Sequence, residues 1–244
     1  MALRILVTND DGYDALGIKK LVSAAKKYGE VFVLAPKEEQ SAKSHSIKVR
    51  QEIKFKKVKD IVEGVETYYA SSTPADCVRI AYFHMGTNFD IVLSGVNRGY
   101  NLGEDITYSG TCAAATEAAM LGKIGIALSC NFKAVEDIDY ALEYTLDYVF
   151  KHKLYEKWPL LNINMPAEFK KIVFTRQGKT HYISNYSVNK GKLSSIGRPV
   201  ETEDGIELSD VDLTYKSYIT ITPLTFTRTN EEALKSFLEE FDKK

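Results

Sequence analysis

Apolar residues in this chain follow two rhythms: short unbroken runs, and stretches where they recur every three or four positions. The first run, Ile5-Leu6-Val7, has no polar alternation, as expected of a strand buried on both faces of a parallel sheet. Leu16, Ile18, Leu21, Val22, Ala25 and Tyr28 then keep helical spacing, with Gly29 as the expected helix stop. Val31-Phe32-Val33-Leu34-Ala35, closed by Pro36, reads as a second buried strand. Strand, helix, strand in that order predicts a parallel pair joined by a right-handed crossover.

Residues 37–46 form a polar loop, and from Ile47 to Val58 apolar and basic residues roughly alternate, which predicts an exposed antiparallel ribbon. Its lysines and arginine (Lys43, Lys48, Arg50, Lys54, Lys56, Lys57, Lys59) suit a charged edge that resists aggregation, or a flap that attracts an anion. After a short strand at Tyr68-Tyr69-Ala70, Thr73-Pro74-Ala75-Asp76 reads as a capped helix start, continuing through Val78, Ile80, Ala81 and Phe83. Asp90-Ile91-Val92-Leu93-Ser94-Gly95 is a third buried strand, leading into a polar, glycine-rich loop that reaches Gly103. Ser109-Gly110-Thr111 opens an alanine-rich helix stopped by Gly122; its small side chains predict close packing. A strand at 125–129, a helix marked by Ile138 to Val149, and strands at 160–166 and 171–175 follow. Residues 180–224 show little helical periodicity and predict extended arms or hairpins, of the kind that bury themselves on a second subunit. The last element, 230–241, reads as a capped amphipathic helix through Leu234, Phe237 and Phe241.

Composition narrows this picture in three ways. With 244 residues, 44% of them hydrophobic, the chain suits one large α/β domain with an appendage, or two small domains. A net charge of −1 provides no global field for a nucleic-acid polymer or a membrane surface. Neither a long apolar span nor a charged-then-apolar leader is visible, so the expectation is a soluble, cytoplasmic protein. Cys77, Cys112 and Cys130 are odd in number, widely spaced and without a CxxC pair, which suits small core residues in a reducing compartment.

Candidate chemistry gathers where the buried strands end, the place open α/β sheets bind ligands. The first strand delivers Asn9, Asp10, Asp11 and Gly12; the second a loop with Gln40, Ser41 and Ser44; the third Ser94, Asn97 and Asn101. Neighbouring carboxylates repel unless a cation, a proton or solvent relieves them, so Asp10-Asp11 is either a cation site or a solvated turn. Two carboxylates with an Asn carbonyl and a Ser hydroxyl suit one divalent cation: Mg²⁺, Mn²⁺ or Ca²⁺. The Ser109-Gly110-Thr111 helix start suits a phosphate, although Ser109 or Thr111 is also an ordinary cap. Metal beside phosphate points to phosphoester hydrolysis by an activated water.

Competing signatures fail. Gly178-Lys179-Thr180 ends like a Walker A loop, but Val173 stands where its first glycine belongs. No GxSxG occurs, Asp10-Asp11 lacks alternating Asp-x-Asp spacing, and His45, His84, His152 and His181 are scattered singly. Of these, His45 lies in the Ser41 loop and is a candidate proton donor or phosphate contact.

The ordered set of motifs resembles the SurE survival-protein nucleotidases. It comprises Thr8-Asn9-Asp10-Asp11-Gly12, Ala35-Pro36 with Gln40-Ser41, and Thr73-Pro74-Ala75-Asp76-Cys77-Val78. Ser94-Gly95-Val96-Asn97-Arg98-Gly99, Tyr108-Ser109-Gly110-Thr111, Leu161-Asn162-Ile163-Asn164-Met165-Pro166 and Ile219-Thr220-Ile221-Thr222-Pro223-Leu224 complete it. The resemblance implies Asp10, Asp11, Ser41 and Asn97 as metal ligands, with Asp10 and Asp11 catalytic. It places Asn9, Asn101, Ser109, Gly110 and Thr111 around the phosphate. It further implies a Rossmann-like α/β core with a mostly parallel sheet flanked by helices, β-hairpin extensions and a swapped C-terminal arm, the core near 1–175 and the arm near 176–244. The implied activity is release of phosphate from nucleoside 5′- and 3′-monophosphates, and from short polyphosphate, by a dimer or tetramer. Ala42, Ser72 and the pair Lys216-Ser217 depart from the family pattern without touching a proposed ligand.

Overall fold

Strand β1 (Leu3–Thr8) occupies the middle of the molecule's main sheet, and both of its faces are covered. In the computed structural model, which describes residues 2–183, 185–196, 198–200 and 204–241, β1 pairs in parallel with β2 (Gly29–Pro36) across helix α1 (Leu16–Ala25). Ile5 and Val7 pack on one side with Ile18, Leu21 and Val22 of α1, whereas Leu6 points to the other side. Each such fully buried side chain contributes roughly 2 kcal/mol of hydrophobic stabilisation. The unbroken apolar run has its cause here, because Ile5, Leu6 and Val7 meet no water on either face.

Gly29 does not stop the helix. It opens β2, where a Cβ would lie 2.2 Å from the carbonyl oxygen of Leu3 on β1. The basic stretch is also less regular than expected: strand β3 (Phe55–Val58) alone forms, antiparallel to β4 (Thr67–Ala70), which runs parallel to β2. Helix α2 (Pro74–Arg79) begins as predicted, Thr73 Oγ1 accepting from Asp76 N at 3.2 Å. Asp76 then turns its carboxylate to the hydroxyl of Ser72 and to the N–H of Lys48, and a π-helical turn (Ile80–His84) prolongs the helix.

Strand β5 (Ile91–Arg98) returns beside β1 on the side opposite β2, making a point where strand order reverses. It runs on through Asn97 and Arg98, past the expected loop boundary, with a register shift between Ser94 and Asn97. A 3₁₀ turn (Gly103–Tyr108) leads to α3 (Gly110–Met120) and β6 (Ile124–Cys130). The small side chains of α3 let it lie directly on β6: a Cβ at Gly125 would stand 1.9 Å from the carbonyl oxygen of Ala115. Helices α4 (Asp139–Lys151) and α5 (Leu154–Lys157) precede β7 (Leu160–Met165), which is buried along its whole length, and β8 (Ile172–Phe174).

The extended region carries β9 (His181–Ile183) paired with β12 (Arg198–Val200), and an exposed hairpin of β10 (Tyr186–Asn189) and β11 (Lys192–Ser195). Residues 184, 197 and 201–203 of this stretch lie outside the described residues. A short helix unforeseen from periodicity, α6 (Asp210–Tyr215), is capped by Ser209, and β13 (Ile219–Pro223) follows it. β13 inserts between β7, antiparallel, and β8, parallel, so the main sheet draws on both sides of residue 175. The nine strands are ordered β3-β4-β2-β1-β5-β6-β7-β13-β8 and are mostly parallel, with α1 and α4 on one face and α2 and α3 on the other: an α/β, Rossmann-like core. Helix α7 (Glu231–Phe241) is capped by Asn230, and its Leu234, Phe237 and Phe241 remain exposed. Among the described residues no helix is long and apolar enough to cross a membrane.

Candidate active site

The exits of β1, β2 and β5 and the start of α3 converge because they lie at adjoining ends of parallel strands around the reversal point. There they enclose a cavity of about 400 Å³ lined by Asp10, Asp11, Ser41, Asn97, Asn101 and Ser109. Six of the sequence-predicted residues thus face one space. Asn9, Gly110 and Thr111 stand behind it. The buried Asn9 donates from Nδ2 to the carbonyl of Gly12 at 2.8 Å and shapes the turn. Its Oδ1 finds no hydrogen-bond partner among the described residues.

Asp10 is the most enclosed of the cavity acids. Its Oδ1 accepts from Thr111 Oγ1 at 2.6 Å and its Oδ2 from Thr111 N at 3.2 Å. A side chain at 110 would meet Asp10, since a Cβ there would be 3.1 Å from Asp10 Oδ2; the glycine lets the carboxylate lie against the helix start. Burial pushes the Asp10 carboxyl up to about 6, the bonds from Thr111 pull the other way, and the neighbouring Asp11 charge adds to the rise. Asp11 is half-buried and also raised, chiefly by desolvation, although Arg98 N donates to its Oδ2 at 3.2 Å.

The second loop is held down at several points. Gln40 N donates to Asp10 O at 2.7 Å, while Ser44 donates from N to Tyr108 O and from Oγ to Thr107 O. Gln40 spends its side-chain amide on Glu38 and Glu39 carbonyls, so Ser41 is the hydroxyl this loop presents to the cavity; its Oγ donates to Glu39 Oε1 at 2.5 Å. Asn97 donates from Nδ2 to Gly99 O at 2.7 Å, a bond that does not use its Oδ1. Ser109 caps α3 by accepting from Cys112 N at 3.1 Å. The helix start therefore offers fewer free N–H groups than its sequence implied, because those of Thr111 and Cys112 are both engaged.

His45 does not join this cavity. Its Nε2 lies 2.7 Å from Glu117 Oε2 on α3, and the ring lines a neighbouring space instead. Other residues escaped sequence reasoning. Glu39, Asp105 and Phe132 also line the cavity, and nothing local singles them out; Arg98 and Tyr108 line it too, inside motifs whose proposed roles fell on their neighbours.

The loop carrying Asn101 is fixed by buried polar residues on β6 and β7. Asn101 N donates to Asn164 Oδ1 at 2.8 Å, its Nδ2 to Ser129 Oγ at 2.8 Å, and its carbonyl accepts from Asn162 and Asn164. The signal was present: two asparagines alternating with aliphatics on a strand buried on both faces need partners. Asn164→Leu leaves the buried Asn101 N–H without an acceptor and is expected to cost about 2 kcal/mol in a urea titration. An unchanged midpoint would show the network is not needed to hold the loop.

Four carboxylates (Asp10, Asp11, Glu39, Asp105) face this cavity, against Arg98 as the basic side chain among its described lining residues. The neutral donors beside them are hydroxyl and amide oxygens. A hard divalent cation would fit such a set and would relieve the repulsion between Asp10 and Asp11. Among the described residues no three His, Cys, Asp or Glu side chains group as a metal cluster, so a cation here would have at most two of them as ligands and would need neutral oxygens besides.

The family model for survival protein SurE matches residues 5–184. The chain is 38% identical to a 5′-nucleotidase SurE of Syntrophomonas wolfei over 98% of its own length and 95% of that protein. It is 40% identical to a 5′-nucleotidase SurE of Campylobacter jejuni subsp. doylei, over 95% of each chain. Among solved structures it is similar to the SurE protein of Aquifex aeolicus, with a TM-score of 0.79, 33% identity, and coverage of 97% of this chain and 98% of that one.

Proposed function

Since this chain belongs to the SurE family, we propose that it is a nucleotidase, a divalent-metal-dependent phosphomonoesterase acting on nucleoside 5′- and 3′-monophosphates and on short polyphosphate. The observation that carries this reading is the meeting of Asp10 and Asp11 with the start of α3 across one oxygen-lined cavity. Asp10, Asp11, Ser41 and Asn97 would hold the cation, Mg²⁺, Mn²⁺ or Ca²⁺. When bound, such a cation supplies Lewis-acid polarisation of the phosphoryl group. Thr111 keeps Asp10 oriented toward the cavity, and Asp10 takes the proton of the attacking water. Ser109, with the positive end of α3 behind it, faces the phosphate, and Asn101 bounds the same space.

Self-association into dimers or tetramers belongs to this reading. The exposed apolar side chains of α7 and of the β10–β11 hairpin (Tyr186, Val188, Leu193) support it, as surfaces a second copy would cover. The three free, buried cysteines suit a reducing cytoplasm.

The test is phosphate release from nucleoside 5′- and 3′-monophosphates and tripolyphosphate, each with Mg²⁺, Mn²⁺ or chelator. Release is expected with either metal, and chelation is expected to reduce it at least about a hundredfold. Nucleotide binding without release under any metal would make the protein a regulatory module instead.

A further inference from the structure

A second cavity, of about 780 Å³, begins where the first ends: Ser109 lines both. It follows one face of α3, along Cys112, Ala113, Thr116, Glu117 and Met120, which are spaced to share a stripe of the helix. Thr116 lies seven residues beyond Ser109, roughly 10 Å along the axis, the scale of a phosphate-to-base reach. The chain leaving β13 also lines it, with Leu224 and Phe226, and Ile106 and Leu224 pack against the buried cluster that includes Cys112 of the helix. Met120 and Phe226 are about half exposed, an apolar surface the chain leaves open.

One polar cluster faces this groove and has no part in the chemistry described above. Glu117, almost wholly buried, takes His45 Nε2 on one oxygen at 2.7 Å and Arg79 on the other at 2.9 Å. Burial alone would raise its carboxyl, but the bonds from His45 and Arg79 outweigh burial and hold it below the usual range. An ionised Glu117 therefore fixes both partners: it receives Nε2–H of His45, leaving Nδ1 for a ligand, and it spends one edge of the guanidinium.

We propose that this groove holds the base of the substrate, with the sugar at its Ser109 end. Its phosphate lies at the start of α3, its base rests between Met120 and Phe226, and His45 and Arg79 bond its polar edge. The volume falls in the range of small-molecule sites, and the mix of apolar walls with a few converging polar groups suits a base and its sugar. This assignment rests on the phosphomonoesterase reading, and it makes Glu117 a positioning residue.

The experiment compares AMP with ribose 5-phosphate, which carries the phosphate but no base, and measures adenosine binding by calorimetry. Thr116→Trp fills the groove without reaching the first cavity. It is expected to raise KM for AMP about tenfold or more while ribose 5-phosphate changes less than about twofold, and to abolish adenosine binding. Met120→Glu, at an exposed position that folding tolerates, gives the same comparison should the tryptophan variant fail to fold. Equal changes for both substrates, or no change for either, overturn the proposal. A change in oligomeric mass with Met120→Glu at constant KM also overturns it, assigning the groove to a second copy. If the wild type binds adenosine, the variants do not, and no phosphate is released from either substrate, the groove stands and the phosphatase reading falls.

Discussion

Asp10→Asn is expected to reduce phosphate release about a thousandfold while leaving the fold intact. The substitution keeps shape and removes charge. Its effect on function should be large because Asp10 is both a proposed cation ligand and the proposed proton acceptor, on the enclosed side of the cavity. Its effect on stability should be small. Burial already disfavours the charged carboxylate, so a neutral amide forfeits no favourable charge in the free protein. Against that, the amide oxygen can accept only one of the two Thr111 donors, a loss of about 1 kcal/mol. Phosphate release, a calorimetric titration with Mn²⁺ and a thermal melt read the three quantities separately. Activity within about tenfold of wild type would remove Asp10 from the chemistry.

Gly125→Ala is expected to be the most damaging change outside the site. The added Cβ would sit 1.9 Å from the Ala115 carbonyl oxygen and 2.5 Å from its carbon, both backbone atoms that no rotamer change can move. Helix α3 would have to lift from β6, which is itself held between β5 and β7. Overpacking of this kind costs about 3 kcal/mol, equivalent to a fall in Tm of roughly 6–12 °C for a chain of this size. Because α3 carries Ser109, Gly110 and Thr111 at its start, activity should fall even below the melting range. A melt and phosphate release at low temperature test both parts. An unchanged Tm would mean the helix and strand are free to separate, against the packing described here.

Particular elements show why some features were legible in the chain and others were not. Strands β1, β2 and β5 announce themselves because burial on both faces demands unbroken aliphatic runs. Ser109 and Thr73 announce helix starts because a cap satisfies N–H groups only two or three residues away. Gly29 misled, since a helix stop and a close approach to a neighbouring strand both require glycine, and the contact it makes is with Leu3. α6 was hidden by its length of six residues, too short for periodicity to register, although Ser209 caps it. β13 reads as a strand locally, but its place between β7 and β8 depends on partners about fifty residues upstream.

The sequence by itself determined the α/β class, the strand exits that hold Asp10, Asp11, Ser41 and Asn97, and the motif order that places the chain in its family. These rest on local codes: apolar period, caps, and turn residues beside carboxylates. Only the tertiary structure decided that Thr111 serves Asp10, that Asn162 and Asn164 hold Asn101, and that His45 turns from the first cavity to Glu117. Each of these joins groups more than sixty residues apart, and a buried polar atom's partner is chosen by packing geometry, which no local pattern carries.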